Sequence, residues 1–565
     1  MSVLIRRPTL QGRATFDRMR LMRTAALVLC AALSGAALAP ATPAQAQPVA
    51  QPQALADRVD TAPYDPVARA LWQKLEQNGG AAATDTGVRS FYEGRGFQPA
   101  WSGSPEALRA AAEVRIVLQQ ADLEGLEPGR YGAPAPSADS PEATAQGDIA
   151  LTEAVLRYAH DVHVGRLVPN QVYDPILLPA RSFDAAGGLE AAVAADRVGP
   201  WLRSLPPVSA DYAALRAGLA RYRAIEAAGG WAEVPPVAGN RIEEADPAVL
   251  RTLQDRLAVE DPTIDPGAPL LTPALLTLAV QRYQENHGLE PDGRPGPATL
   301  GALNRPVGER VQQIVANMER WRWLPRDFGP TAIVVDLAGK RLKLLRNGES
   351  VLTSKVIAGA RPTPTPILYA NVTSVTANPP WDVPYSIASK EILPKLRRNP
   401  HYLAQNNMVL RNGPAGDPYG ESVDWHAVGS FPYRIRQLPG PHTALGLVKL
   451  EMPNRYAIFL HDTPARQLFD RFDRFLSHGC VRVEEIQQLA SNLLSGGESS
   501  QDPRLQAALS SGQTTGLSLP EPVPAYLLYW TAVAAPDGSL AFRPDVYGYD
   551  QELAAALARL EQPSA

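Results

Sequence analysis

Near residue 329 the hydrophobic repeat of this chain changes period. Upstream, in Val67-Ala-Arg-Ala-Leu-Trp-Gln-Lys-Leu, Leu108 to Ala121, Ile149 to Val162 and Tyr212 to Ala228, apolar residues return every three or four positions. That spacing lines one face of an α-helix. Downstream, Thr331-Ala-Ile-Val-Val-Asp, Arg341-Leu-Lys-Leu-Leu, Val351 to Ile357 and Val372-Thr-Ser-Val-Thr read as strands. Asn347-Gly348 between the second and third is a hairpin signal. A helical stripe and a pleated face need different repeats. The chain is therefore expected to be multidomain, mainly α first and β-rich afterwards.

Within that frame, residues 47–60 read as an Ala/Pro/Gln-rich tether and 61–240 as a helical region broken by Pro- and Gly-rich joints. Residues 245–305 form a second helical unit, with Ala248 to Val259, Pro273 to His287 and a short helix opening at Pro297 or Thr299. The β-rich region spans 329–550, with further strands over Leu445 to Met452 and Tyr456 to His461. Inside it, roughly 384–432, lies a segment of mixed character that holds Ile392-Leu-Pro-Lys-Leu, Tyr402 and Trp425. An insertion this long within a sheet domain reads as a lid or binding loop. Tyr526 to Val533 with Pro536-Asp-Gly reads as a hairpin, and a helix near 550–562 leads into the tail at 551–565. Proline is frequent, at 54 residues, and much of it is expected in connecting stretches.

Residues 1–46 read as a secretory leader: Arg18, Arg20 and Arg23, an apolar run from Thr24 to Ala39, then Ala44-Gln45-Ala46 as a cleavage site. An uncleaved leader would instead anchor the chain in the inner membrane. The formal charge is −4, and it falls to −9 once the six Arg and one Asp of the leader are removed. An acidic chain of that kind is not built for nucleic acid.

Loss of the leader removes Cys30 and leaves Cys480 as the only cysteine. Exported chains ordinarily pair their cysteines, so a lone thiol needs a purpose. Cys480 sits in Ser477-His478-Gly479-Cys480-Val481-Arg482, and His461 precedes it at the end of an apolar run. A thiol and an imidazole from separate elements are the minimum for a cysteine nucleophile. Thr463 and Pro464 are expected to open a helix after His461, as N-cap and first residue. A helix over Val483 to Leu494 is expected to place its N-terminus beside Cys480, where with Arg482 it would stabilise a thiolate. Backbone N–H groups near Gly479 would then form an oxyanion hole, and the parts fit acyl transfer through a thioester. A metal site is the competing chemistry. His160-x-x-His163 lacks a third ligand and reads as a solvated helix face. Zinc on His461, His478 and Cys480 would consume the nucleophile. Neither a metal nor another cofactor is expected.

His461, fifteen residues of spacer, then Ser477-His-Gly-Cys-Val-Arg resemble the signature of the L,D-transpeptidases, whose catalytic domain is of YkuD type. Gly288-Leu-Glu-Pro-Asp-Gly with Gly296-Pro-Ala-Thr-Leu-Gly-Ala-Leu-Asn304 resembles the three-helix peptidoglycan-binding module. Arg320-Trp-Arg-Trp-Leu-Pro, Asn378-Pro-Pro-Trp381 and Arg434-Ile-Arg-Gln-Leu-Pro resemble runs of the long subfamily, which adds an N-terminal scaffold and a lid. The resemblance implies Cys480 as nucleophile and His461 as general base. It implies oxyanion contacts from the backbones of His478, Gly479 and Cys480, and a carbonyl of Asp462 that orients His461. It offers Arg482, Arg434 and Trp425 as substrate contacts, with internal salt bridges and lid packing as their structural alternatives. The implied activity is peptidoglycan crosslinking in the periplasm, with stem peptides as substrates and other cell-wall synthesis enzymes as candidate partners. Hydrolysis at the same site, release of a wall-linked protein and a non-catalytic wall-binding scaffold stand as alternatives.

Overall fold

The computed structural model describes residues 65–77, 83–134, 139–535 and 538–561. The expected leader and tether, Pro536 of the tail hairpin and the last four residues lie outside them.

The helical part obeys a repeated local rule. Ser104, Ser140, Asp246 and Thr272 each accept a hydrogen bond from an N–H of the first turn they precede, and each is followed by proline as the first helical residue. A side-chain oxygen satisfies a free donor, and proline lacks the donor that would be wasted there. Much of the proline expected in connections therefore starts helices. One apolar cluster gathers Phe91, Tyr92, Trp101, Leu118, Val155 and Leu202. A second, built from Leu253, Leu257, Leu276, Val280 and Leu303, holds the three helices Pro247–Ala258, Pro273–Asn286 and Pro297–Leu303 together.

Among the described residues, eight strands close into a barrel: β1 (Thr331–Asp336), β2 (Arg341–Arg346), β3 (Glu349–Gly359), β4 (Ile367–Ala377), β5 (Val448–Glu451), β6 (Leu460–His461), β7 (Val481–Val483) and β8 (Thr515–Leu528). Their order is β4-β8-β1-β2-β3-β7-β6-β5, and β5 pairs back onto β4. The β1–β8 and β6–β7 pairs are parallel and the others antiparallel. Asn347 and Gly348 turn the β2–β3 hairpin with φ of 47° and 83°, the left-handed pair that such a turn requires. The tail hairpin pairs Ala532–Ala534 with Leu540–Phe542, while Tyr526 belongs to β8.

Helix Val307–Arg322 and helix Ala210–Ala227 add Ile314, Met318, Leu215 and Leu219 to the barrel's own apolar cluster. The run Arg320-Trp-Arg-Trp serves this joint. Arg320 pairs with Asp550 at 2.6 Å and Arg322 with Glu319 at 3.0 Å, both buried. Trp321 stacks on Trp530 at 4.9 Å.

The insertion within the barrel is a small folded body. Trp381–Asp382, Ile435–Gln437 and Met408–Leu410 form a three-stranded sheet. Ile392, Leu396, Leu403, Met408, Trp425 and Phe431 give it a core of its own.

Three local expectations fail. Only Leu460–His461 of the run from Tyr456 is strand, because Asn454 folds the segment before it into a turn, accepting from Tyr456 N–H and donating to the Ile458 carbonyl. Thr463 and Pro464 do not open an α-helix: a single 3-10 turn begins at Arg466. The helix expected from Val483 begins at Ile486, because Val481–Val483 is drawn into the barrel as β7.

Candidate active site

The pairing of β6 with β7 builds the site. Leu460 lies opposite Val481 and His461 opposite Arg482. Side chains alternate across a sheet, so Leu460 and Val481 fill the core at 0% exposure while His461 and Arg482 share the other face. β5 pairs on the far side of β6 and sets Lys449 opposite His461. Cys480 precedes β7 directly, half-buried, with its Sγ 3.7 Å from the Ala457 carbonyl. The sequence's base and nucleophile candidates thus come from neighbouring parallel strands.

His461 is buried, and its Nδ1 lies 2.5 Å from the backbone carbonyl of Asp462. A carbonyl only accepts, so the proton of the neutral ring sits on Nδ1 and Nε2 is the unprotonated nitrogen. Burial, helped by the Arg482 charge, pushes the imidazole down to about 3. The thiol moves oppositely: burial raises Cys480, and Lys449 and Arg482 only partly offset it. At rest both groups are neutral, a thiol turned to the Ala457 carbonyl and an imidazole on the neighbouring strand. The expected thiolate held by a helix N-terminus is not what this geometry provides. A strand separates Cys480 from that helix, and burial outweighs Arg482.

The Asp462 side chain has its own task, accepting from Leu447 N–H at 2.9 Å with Arg466 3.5 Å away. In the nucleophile loop, Ser477 Oγ accepts from Gly479 N–H at 3.1 Å and donates to the Cys480 carbonyl at 2.5 Å. Gly479 N–H is therefore already engaged, contrary to its expected place among the oxyanion donors. His478 is exposed, and its Nε2 meets Glu391 of the lid at 2.6 Å. Arg482 is partly buried, with an Nε that has no hydrogen-bond partner.

Two expected substrate contacts lie elsewhere. Trp425 is 2% exposed in the lid core, stacked on Phe431. Arg434 sits on the lid's returning segment, its side chain exposed and its N–H bonded to Asn412. Sequence reading missed Lys449, Glu391 and Phe459, whose ring lies 5.5 Å from His461. Only strand register and lid placement bring them in. His163 stacks on Phe183 at 4.2 Å. Among the described residues no three His, Cys, Asp or Glu side chains cluster as a metal site.

Residues 86–219 match a scaffold domain, 250–303 a domain described as "Putative peptidoglycan binding domain", and 330–501 the L,D-transpeptidase catalytic domain. A protein of Haemophilus influenzae named "Putative L,D-transpeptidase" is 39% identical over 246 residues, 43% of this chain and 49% of the relative. The chain thus spans about half the length of the curated relative it matches. Among the described residues no helix is long and apolar enough to cross a membrane. With the barrel, its inserted lid and the helical regions before it in place, the chain carries an L,D-transpeptidase catalytic domain behind a scaffold domain and a peptidoglycan-binding domain.

Proposed function

We propose that this chain crosslinks peptidoglycan stem peptides through a thioester on Cys480. The observation that carries the reading is the β6–β7 pairing, which sets a buried imidazole protonated on Nδ1 on the strand next to the one that Cys480 leads into. In the first half-reaction His461 Nε2 takes the thiol proton as Sγ attacks the carbonyl joining an L-centre to the terminal D-residue of the donor stem. The proton passes to the departing amine, the carbon–nitrogen bond breaks and the thioester remains. A side-chain amine of a second stem then attacks the thioester, gives its proton to His461 and releases the thiol. Because both partners rest neutral, proton transfer accompanies attack, which is general-base catalysis.

Arg482, with its unpartnered Nε, is assigned to the substrate carboxylate, which a guanidinium matches in shape and charge. His478 and Cys480 are assigned backbone oxyanion contacts. The Glu391–His478 contact supports the lid as a cover that keeps water from the thioester. The leader motif supports export to the periplasm, with stem peptides and other cell-wall enzymes as partners there.

The test is mass spectrometry of the purified chain with a disaccharide-tetrapeptide. Crosslinked dimer is expected. Trimmed monomer alone would assign the site to hydrolysis, and unchanged substrate would overturn the catalytic reading.

A further inference from the structure

The loop that carries the nucleophile rests on a second loop, 360–366, between β3 and β4. Thr363 Oγ1 and Ala360 N–H both donate to the Ser477 carbonyl, at 3.0 and 2.8 Å. Thr365, at 0% exposure, donates its hydroxyl to the Gly479 carbonyl at 2.7 Å and accepts from Gly359 N–H at 2.9 Å. Behind it, the Tyr547 hydroxyl donates to the Gly359 carbonyl at 2.7 Å. Pro364 and Pro366 flank Thr365 and restrict its backbone. The hydroxyl is thus fixed on one side and bound to one atom of the nucleophile loop on the other.

We propose that Thr365 is a positioning residue that aims the Cys480 N–H at the developing oxyanion. The proposal rests on the acyl-transfer reading above. Its physical basis is the planarity of the peptide unit. In a trans peptide the C=O and N–H point in opposite directions. Thr365 draws the Gly479 carbonyl into the protein interior, so the N–H of the same peptide, that of Cys480, points outward over the thiol. Gly479 has φ 113°, in a region where glycine moves freely. The residue before the 479–480 peptide therefore does little to hold its plane, and the Thr365 hydroxyl supplies the restraint. Gly479 N–H offers no substitute, since Ser477 Oγ takes it.

The experiment compares two reactions of Cys480 in the full chain. Iodoacetamide alkylates a thiol with no oxyanion to stabilise. A carbapenem acylates through a tetrahedral intermediate that needs one. Thr365→Val keeps the side chain's shape and removes the hydroxyl, while Thr365→Ser keeps the hydroxyl. Thr365→Val is expected to acylate roughly 10- to 100-fold more slowly, somewhat less than the cost of deleting an oxyanion donor outright. Its alkylation rate is expected to stay within about threefold of the unaltered chain, and Thr365→Ser to recover acylation to within about threefold, given how steeply such donors act. Equal slowing of both reactions in Thr365→Val would reduce Thr365 to placement of the thiol and overturn the proposal. So would undiminished acylation, or failure of Thr365→Ser to rescue it in a folded protein. If the unaltered chain alkylates but never acylates, the acyl-transfer reading itself falls, and the Thr365 role with it.

Discussion

The barrel and the lid meet at the loop that holds His478 and Cys480, and they are built differently. In the barrel each strand has a partner on both sides, and the residues behind the site, Leu460, Val481 and Val483, are fully buried. The lid has a core and a three-stranded sheet of its own, separate from the barrel sheet. Its contact with the Cys480 loop, Glu391 to His478, has both side chains about half exposed, at 43% and 50%. A solvent-exposed pair of that kind contributes about 0–1 kcal/mol, close to thermal energy. The contrast suits the proposed reaction, in which a fixed thiol must admit two stem peptides in turn.

The largest test of this contrast falls on the barrel. Cys480→Ala should abolish crosslinking with the thermal midpoint nearly unchanged, since a half-buried sulfur is lost and the barrel remains. His461→Ala should cost roughly 10³-fold or more, and the double variant little beyond either single one, because groups that act as a unit do not add. Product analysis by mass spectrometry with circular dichroism checks both points, and near-normal crosslinking by Cys480→Ala would end the covalent mechanism.

Shortening the lid over 384–432 comes next. It should raise the ratio of hydrolysed to crosslinked product severalfold while acylation slows less, if the cover excludes water. Acylation rates and product ratios for a folded variant decide it, and an unchanged ratio would make the lid a structural appendage.

Acidity separates the two regions further. Because His461 is held down to about 3, it stays a neutral base as pH falls. Acylation should lose less than about twofold between pH 7 and pH 5, where an ordinary imidazole near 6.5 would lose about 25-fold. An acid limb near 6.5 in the pH–rate profile would mean that His461 is solvated during turnover and that the cover, not the barrel, governs its surroundings.

The smallest effect is expected at the contact itself. Glu391→Gln should change global stability by less than about 1 kcal/mol, yet hasten hydrogen exchange in the lid relative to the barrel. Equal exchange in both regions would show that the pair does not hold the lid.

Much of this organisation was legible in the chain. The change of period near 329 separated helical from β-rich regions, and the proline-led starts of Pro273–Asn286 and Pro297–Leu303 matched the expected module helices. Cys480 and His461 stood out because their residue types are costly to carry without use. The boundaries around them were not legible. Val481-Arg-Val is too short to show a strand's alternation, and its apolar residues blend into the helical repeat that follows. Lys449, Thr365 and Glu391 are ordinary in sequence and gain meaning only through pairing and loop contact across 12 to 114 positions. Arg320 and Arg322 belonged to a noticed motif, but only their buried partners reveal it as the joint between helices and barrel.

The parallel pairing of β6 and β7 bears on how such a site can change over time. Parallel neighbours need a long return path, and here residues 462–480 supply it, with Asp470, Arg471, Phe472 and Asp473 exposed along the way. His461 and the strand that follows Cys480 are aligned by ladder register, not by the count of residues between them. Additions at the exposed bend would lengthen the detour while leaving its two ends where they are. Lengthening the exposed bend is therefore expected to be tolerated better than any change that shifts the two-rung ladder.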